Sequence, residues 1–255
     1  MGWAKMIRTV KKKIYTSMGR KLAKRYGEML PDSPSPLEVP QRWVEPHKIA
    51  RIHRGQYEKD EAALVGEHLD PTIDTVELGT GIGVISSRIC GKLNPSARYV
   101  GLEGNPELVE VATRNMQRFD ASVDRTIEHA MVVGTYHEGS TRKFFITPGN
   151  FHASSLEGGK GGEIEVDVPE LSVSEVLRRY KFGEFQLVAD VEGAEYEILT
   201  EDSVALENCR RVIIELHDCK PNGTLVSIQD LANKFEQIGF HQIANRGDVF
   251  AFERK

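Results

Sequence analysis

Apolar and polar positions recur along this chain with two different periods, and the switches between them mark out its elements. From residue 1 to about 26, Trp3, Ile7, Val10, Ile14, Met18, Leu22 and Tyr26 return in steps of three or four with lysines between them. That spacing predicts an amphipathic helix, with Gly19 placed to divide it in two. Pro31, Pro34, Pro36, Pro40 and Pro46 follow, and predict a stiff extended linker. Helical spacing resumes over 58–69 through Ala62, Leu64, Val65 and Leu69. Short apolar runs then alternate with helical stretches. Strands are predicted at 76–78, 99–102, 127–133, 143–146, 164–168, 185–189 and 212–216, and helices at 84–93, 108–116, from 172 onward and at 225–238. Asn105-Pro106-Glu107 opens one of these helices, and Ser172 with Glu175 three residues on caps another. The chain closes as a hairpin around Asn245-Arg246-Gly247-Asp248. Alternation of this kind gives an α/β fold: a Rossmann-like, mostly parallel sheet covered by helices on both faces, with a C-terminal antiparallel hairpin. The expected organisation is a basic N-terminal helix over 1–29, a Pro-rich linker over 30–56, and one catalytic domain over 57–255.

Charge adds a second feature. Residues 1–29 carry nine Lys and Arg against Glu28 alone, a net +8, which leaves −13 for the rest of a chain whose total is −5. The body therefore repels phosphate, and no nucleic-acid partner is expected. The basic helix has two open readings. It lies on an anionic membrane or a partner as a peripheral contact, or it packs on the domain with its lysines in water. No apolar run reaches the roughly 18 residues of a membrane span. The basic start lacks the apolar stretch of a secretory signal, and Met6 stands where a myristoylation motif wants Ser or Thr. The three cysteines, Cys90, Cys209 and Cys219, have no framework spacing, which points to a reducing, cytoplasmic compartment.

The chemistry gathers around Val76-Glu77-Leu78-Gly79-Thr80-Gly81-Ile82-Gly83, a strand end, a glycine loop and a helix start. Such a unit brings bare backbone to a ligand and aims a helix N-terminus at it. The third glycine falls at Gly83, one residue earlier than the dinucleotide fingerprint requires, and no Gly-Lys-Ser/Thr follows. Glu77, two residues before the first glycine, is a poor neighbour for a pyrophosphate and a good one for a sulfonium. Glu103 ends the second strand, where an acid accepts both ribose hydroxyls. The loop is therefore expected to hold S-adenosylmethionine, with NAD as the alternative. Gly79, Thr80, Gly81, Gly83, Glu77, Glu103, Gly104, Asn105 and Asp190 are its expected contacts.

Asp190-Val191-Glu192-Gly193-Ala194-Glu195 follows the 185–189 strand. With 77–83, Glu103-Gly104-Asn105-Pro106, the Ser154-Ser155 pair and Ile214-Glu215-Leu216-His217, it resembles the FkbM family of S-adenosylmethionine-dependent methyltransferases. The resemblance implies the seven-stranded methyltransferase fold and O-methylation of a sugar, glycan or natural-product acceptor. If the acceptor is an alcohol, a base must take its proton. Asp190, Glu192 and His217 are the candidates, since all lie at strand ends on the ligand side. Asp190 has a second open role, binding the methionine amino group. These three could also form a hard-metal site, although no metal is expected. A loop over 148–162 is a candidate lid, with Phe151 and His152 nearest an acceptor. A non-catalytic cofactor-binding protein that docks through its basic helix is the remaining alternative.

Overall fold

The register of the central strands brings the expected site residues to one edge of the sheet. The structure, a computed structural model, describes residues 2–31, 36–118, 122–149, 163–191 and 193–255, with side chains omitted at 2–5, 7 and 8. The chain runs α1 (Gly2–Tyr26), β1 (Met29–Leu30), β2 (Leu37–Glu38), α2 (Pro46–His53), α3 (Lys59–His68), β3 (Asp74–Leu78), α4 (Val84–Lys92), β4 (Arg98–Glu103) and α5 (Pro106–Gln117). It continues through β5 (Asp124–His129), β6 (Met131–Val132), β7 (Thr141–Ile146), β8 (Ile164–Leu171), α6 (Val173–Tyr180), β9 (Phe185–Ala189) and α7 (Glu195–Glu201). It ends with β10 (Cys209–Glu215), α8 (Ile228–Gln237), β11 (Phe240–Arg246) and β12 (Val249–Arg254).

Seven strands form the main sheet in the order β11-β12-β10-β9-β3-β4-β5. The five on the β5 side of β12 are mutually parallel, and β12 runs antiparallel to both β10 and β11. This is the expected sheet with its closing hairpin. Leu78 pairs with Leu102 on one side and Ala189 on the other, and Ala189 pairs with Ile214. The residues that follow, Gly79, Glu103, Asp190 and Glu215, therefore stand at one level along this edge of the sheet. The chain changes direction between β3 and β9, and in open α/β sheets the crevice at that point binds the ligand.

Alternation along the strands builds the two covering layers. Val76, Leu78, Leu187, Ala189, Val212 and Ile214 face one way, into a core with α6, α7 and α8. Val188, Ile213, Val249 and Ala251 face the other, against α3 and α4. In the first layer Phe235 of α8 stacks on Phe252 at 4.5 Å between centroids and meets Phe240 edge-on at 5.8 Å. At the foot of the sheet, Asp74 and Arg98 lock the start of β3 to β4 through contacts of 2.5 and 3.1 Å. The buried Gln186 amide holds the chain entering β3: its oxygen accepts from Asp70 N at 2.9 Å and its nitrogen donates to Asp70 O at 2.7 Å. These ties set where the far end of β3 delivers its glycines.

Two expectations fail in the N-terminal quarter. Among its described residues, the segment 30–56 is not an extended linker. Leu30, Leu37, Val39, Trp43 and Val44 are buried, β1 pairs with β2, and Pro46 opens α2 as its first residue. Its described apolar residues supply a third core cluster with Ile82 and Val84 of the glycine-loop region. Gly19 does not divide α1, which is continuous. Its missing side chain serves packing, because a Cβ there would fall 1.6 Å from Pro46 O. The 127–133 strand is also two strands. β5 stays in the main sheet, while β6 joins β7 and β8 in a separate three-stranded sheet.

Candidate active site

All three glycines of the loop have positive φ, 86° at Gly79, 53° at Gly81 and 83° at Gly83, a region costly for side-chain-bearing residues. At Gly79 the requirement is also steric, since a Cβ would lie 2.1 Å from Asp190 O. The loop thus rests on the backbone of the residue that ends β9. Gly79 N and Thr80 N donate to Leu102 O at 2.9 and 3.1 Å, which ties the loop to the end of β4.

Glu103 closes that tie. Its Oε2 accepts from Gly81 N and its Oε1 from Asn105 N, both at 2.8 Å. Each carboxylate oxygen has a second acceptor direction left over, so the group is held in place while still able to take two hydroxyls. Burial pushes its pKa up to about 7, against the lowering effect of those backbone donors. Asn105 caps α5, its Oδ1 accepting from Glu107 N at 3.0 Å. Its Nδ2 is buried and, among the described residues, has no hydrogen-bond partner; the same holds for Thr80 Oγ1. Buried polar atoms are nearly always paired, so two orphaned atoms in the loops after β3 and β4 mark where a polar ligand belongs. Gly104 packs against Phe144 of the small sheet, where a Cβ would stand 3.3 Å from the ring. Phe144 is a site neighbour the sequence did not reveal.

Glu77 turns toward the α3–α4 layer, where the Tyr99 hydroxyl donates to it. Gly101, two residues along β4, leaves the room this needs: a Cβ there would meet Tyr99 Oη at 2.6 Å. Burial raises the pKa of Glu77 to about 7, partly offset by the Tyr99 hydrogen bond. Beside it lie two acids at the head of α3, Glu58 and Glu61. Glu58 holds a left-handed backbone, φ 45° and ψ 39°, at the head of α3, a conformation that non-glycine residues keep mainly at functional sites. Burial raises its pKa to about 8, with the Tyr57 hydroxyl opposing and the charges of Asp190, Glu77 and Glu215 adding. Burial also raises Glu61, with Glu58, Asp190, Glu77 and Glu215 adding. The charges of Asp190, Glu77 and Glu215 therefore bear on both Glu58 and Glu61 and make these two harder to ionise. A cation placed among them relieves that repulsion.

His217 follows β10 and faces the same crevice. Its Nδ1 stands 2.7 Å from Glu195 Oε1, and its Nε2 lies 4.0 Å from Asp190 Oδ1 and 3.9 Å from Glu215 Oε1. Glu195, the first residue of α7, is fully buried, and its Oε2 has no partner among the described residues. A buried carboxylate on Nδ1 fixes the imidazole's orientation and leaves Nε2 facing Asp190 and Glu215. The structure thus brings together Asp190 and His217 with the glycine loop, Glu77, Glu103 and Asn105, and adds Glu195, Glu58, Glu61 and Glu215. Glu192, Phe151, His152, Ser154 and Ser155 lie outside the described residues. Among the described residues no group of three or more His, Cys, Asp or Glu is arranged to hold a metal. Nor is any helix among them long and apolar enough to cross a membrane.

A parallel core with a glycine loop after its first strand, an acid after its second and a closing antiparallel hairpin defines the Rossmann-like methyltransferase class. Residues 77–242, well over half of the chain, match the Methyltransferase FkbM domain, and the protein belongs to this family of S-adenosylmethionine-dependent methyltransferases. No curated protein sequence matches it significantly. Several solved structures share parts of its shape. A ribosomal protein L11 methylase from Lactobacillus delbrueckii subsp. bulgaricus is 12% identical, with 80% of each chain covered and a TM-score of 0.45. An O-methyltransferase from Bacillus cereus in complex with SAH is 13% identical, covering 76% of this chain and 79% of that one, with a TM-score of 0.43. A putative RNA methyltransferase from Pyrococcus horikoshii is 15% identical, covering 78% and 82%, with a TM-score of 0.42.

The residues present fit this cofactor. Glu103, with the orphaned Thr80 Oγ1 and Asn105 Nδ2, offers one acceptor pair and two unspent polar atoms to a nucleoside. The acids around Glu58 and Asp190 suit the ammonium and sulfonium at the other end, and would repel the pyrophosphate of NAD.

Proposed function

We propose that the protein is an O-methyltransferase that transfers the methyl group of S-adenosylmethionine to a hydroxyl of a sugar, glycan or natural-product acceptor. The observation that carries this reading is the Glu195–His217 pair, 2.7 Å apart, with Nε2 directed to the crevice beside Asp190. Methylation of an amine in its neutral form needs no such base before transfer, whereas an alcohol must lose its proton as the new bond forms.

When bound, the cofactor supplies an activated methyl group on a sulfonium. The chain's own residues do the rest. Glu103, Thr80 and Asn105 hold the nucleoside end. The acid cluster, with Asp190, holds the cationic end. His217 takes the acceptor hydroxyl proton at Nε2, and Glu195 keeps Nδ1 as the donor and stabilises the imidazolium that results. Holding donor and acceptor in line is the larger contribution, worth roughly 7–11 kcal/mol in well-oriented systems. A positioned base adds about 10²–10⁴-fold.

The test is transfer of labelled methyl from S-adenosylmethionine to a panel of free sugars, glycans and hydroxylated natural products, with amine analogues alongside. The reading expects label on oxygen, with His217→Ala binding cofactor normally and losing turnover. Label on nitrogen alone, or cofactor binding with no transfer to any acceptor class, would overturn it. The second result would favour the non-catalytic alternative.

A further inference from the structure

Helix α1 has two working faces, and only one of them meets the domain. Tyr15 donates to Gln56 at 2.5 Å, Gly19 lies against Pro46, and Leu22 and Ala23 pack on the third core cluster. At 100° per residue these positions fall on one side of the helix. Met6, Val10 and Ile14 fall on the opposite side, about 165° away. They are 54%, 50% and 61% exposed, half of the six large apolar residues with exposed side chains among the described residues. Lys13, Arg20, Lys21 and Lys24 flank this stripe on the outward side, all exposed. None of these four has an ion pair or hydrogen bond among the described residues.

Neither half of this face is explained by folding. Exposed apolar residues in helical register give up contact with a nonpolar phase, and unpaired cations beside them have no internal counter-charge. We propose that α1 docks the protein on an anionic bilayer surface. Met6, Val10 and Ile14 enter the boundary between headgroups and acyl chains, and Lys13, Arg20, Lys21 and Lys24 meet the lipid phosphates. Charge selects this occupant and this orientation. Residues 1–29 carry +8 and the rest of the chain −13, so an anionic surface attracts the helix and repels the body. A nucleic acid would satisfy the cations but offers the stripe no acyl phase. A second copy would offer the cations an acidic body but the stripe no acyl phase.

The experiment is flotation of the full chain with vesicles of phosphatidylcholine alone and vesicles containing about one-third phosphatidylglycerol. The docked state predicts binding to the anionic vesicles only, weakened by 0.5 M salt as roughly a Debye-screened contact. Reversing Lys13, Arg20 and Lys24 to Glu should weaken binding by about a hundredfold. Val10→Asp with Ile14→Asp should weaken it by about tenfold or more, since two buried side chains are lost from the lipid. These positions are exposed, so both variants should keep the cofactor thermal shift of the parent protein; if the apolar pair fails to fold, the charge reversal still decides. No vesicle binding by the parent protein overturns the proposal. So does binding that Val10→Asp/Ile14→Asp leaves intact while RNA competes it away. So does concentration-dependent self-association that these substitutions abolish in the absence of any vesicle binding.

Discussion

Glu195 and His217 are 22 residues apart in sequence and 2.7 Å apart in space, one at the head of α7 and the other just past β10. The carboxylate is fully buried, and the imidazole bridges from it toward Asp190 and Glu215. A buried carboxylate held, among the described residues, by a histidine alone is costly unless the pair has work to do. Glu195→Gln keeps the shape and removes the charge. It should lower kcat by roughly 10²–10⁴-fold, because the imidazolium formed on proton transfer loses its stabiliser. The cofactor Kd should stay within about twofold, as for any interaction made chiefly in the transition state. The double variant with His217→Ala should be no slower than His217→Ala alone, since two residues acting as one unit are non-additive. Parent-like kcat for Glu195→Gln would remove His217 from the role of base.

Glu103 anchors the loop and offers its remaining lone pairs to the cofactor at once. Glu103→Gln keeps one acceptor oxygen but turns the other group into a donor facing Gly81 N or Asn105 N, both now at 2.8 Å from oxygen. Loss of one charge-assisted acceptor, worth about 1.5–3 kcal/mol, predicts a rise in cofactor Kd of roughly 10- to 10²-fold. Titration calorimetry with S-adenosylmethionine and with S-adenosylhomocysteine reads this directly, and an unchanged Kd for both would place the ribose elsewhere.

What the sequence made legible, and what it hid, divides along the distance over which each feature is encoded. The glycine loop, Glu103 and the Asn105 cap are local: spacing within one strand–loop–helix unit shows them, and they stand where expected. The strand order follows from alternation and handedness, so the edge shared by Gly79, Glu103, Asp190 and Glu215 was readable as well. Glu58 and Glu61 were not. An acid at the start of a helix is ordinarily a dipole partner in water, and nothing in residues 58–61 says that β3, β9 and β10 will close over them. Trp43 and Val39 were hidden by prolines, which mark turns as readily as linkers. The Glu195–His217 pair lay between these cases. Both residues were visible, and only the placement of α7 beside β10 joins them.

The raised carboxyls make stability depend on pH with a definite sign. Burial holds Glu77 and Glu103 at about 7 and Glu58 at about 8 in the folded chain, while unfolded glutamates titrate near about 4.3. Between these values the unfolded chain has released protons that the folded chain still holds. Stability from these groups is therefore complete below about pH 4 and is lost as the pH rises through 7 to 8. The melting temperature of the cofactor-free protein should fall between pH 5 and 8. Glu175, held at about 2 by its hydrogen bonds to Arg178 and Arg179, acts in a separate, more acidic window. A cation among the acids favours their ionised forms, so S-adenosylmethionine should bind more tightly at pH 8 than at pH 6. S-adenosylhomocysteine, without the sulfonium charge, should gain less. A melting temperature that is flat or rising across pH 5 to 8 would contradict the burial of this cluster.

Gly79 separates backbone preference from steric contact, with Gly27 as its control. Both have positive φ, 86° and 63°. At Gly27 a Cβ would have nothing within 4 Å, whereas at Gly79 it would lie 2.1 Å from Asp190 O. Gly27→Ala therefore meets only the left-handed conformational cost, about 1–2 kcal/mol, and leaves the site untouched. Gly79→Ala meets that cost and must also push the loop off the end of β9, because the obstructing atom is backbone and cannot rotate away. The move pulls Thr80 from Leu102 O and Gly81 from Glu103, and shifts Asp190 relative to His217. Urea denaturation should show Gly79→Ala to be the more destabilised of the two by about 1–3 kcal/mol, the usual range for forcing a group into a packed position. Its cofactor-induced thermal shift should be absent, while that of Gly27→Ala should match the parent. Equal stability losses, with the cofactor shift retained in both, would show that the loop does not need its contact with Asp190 to hold its shape.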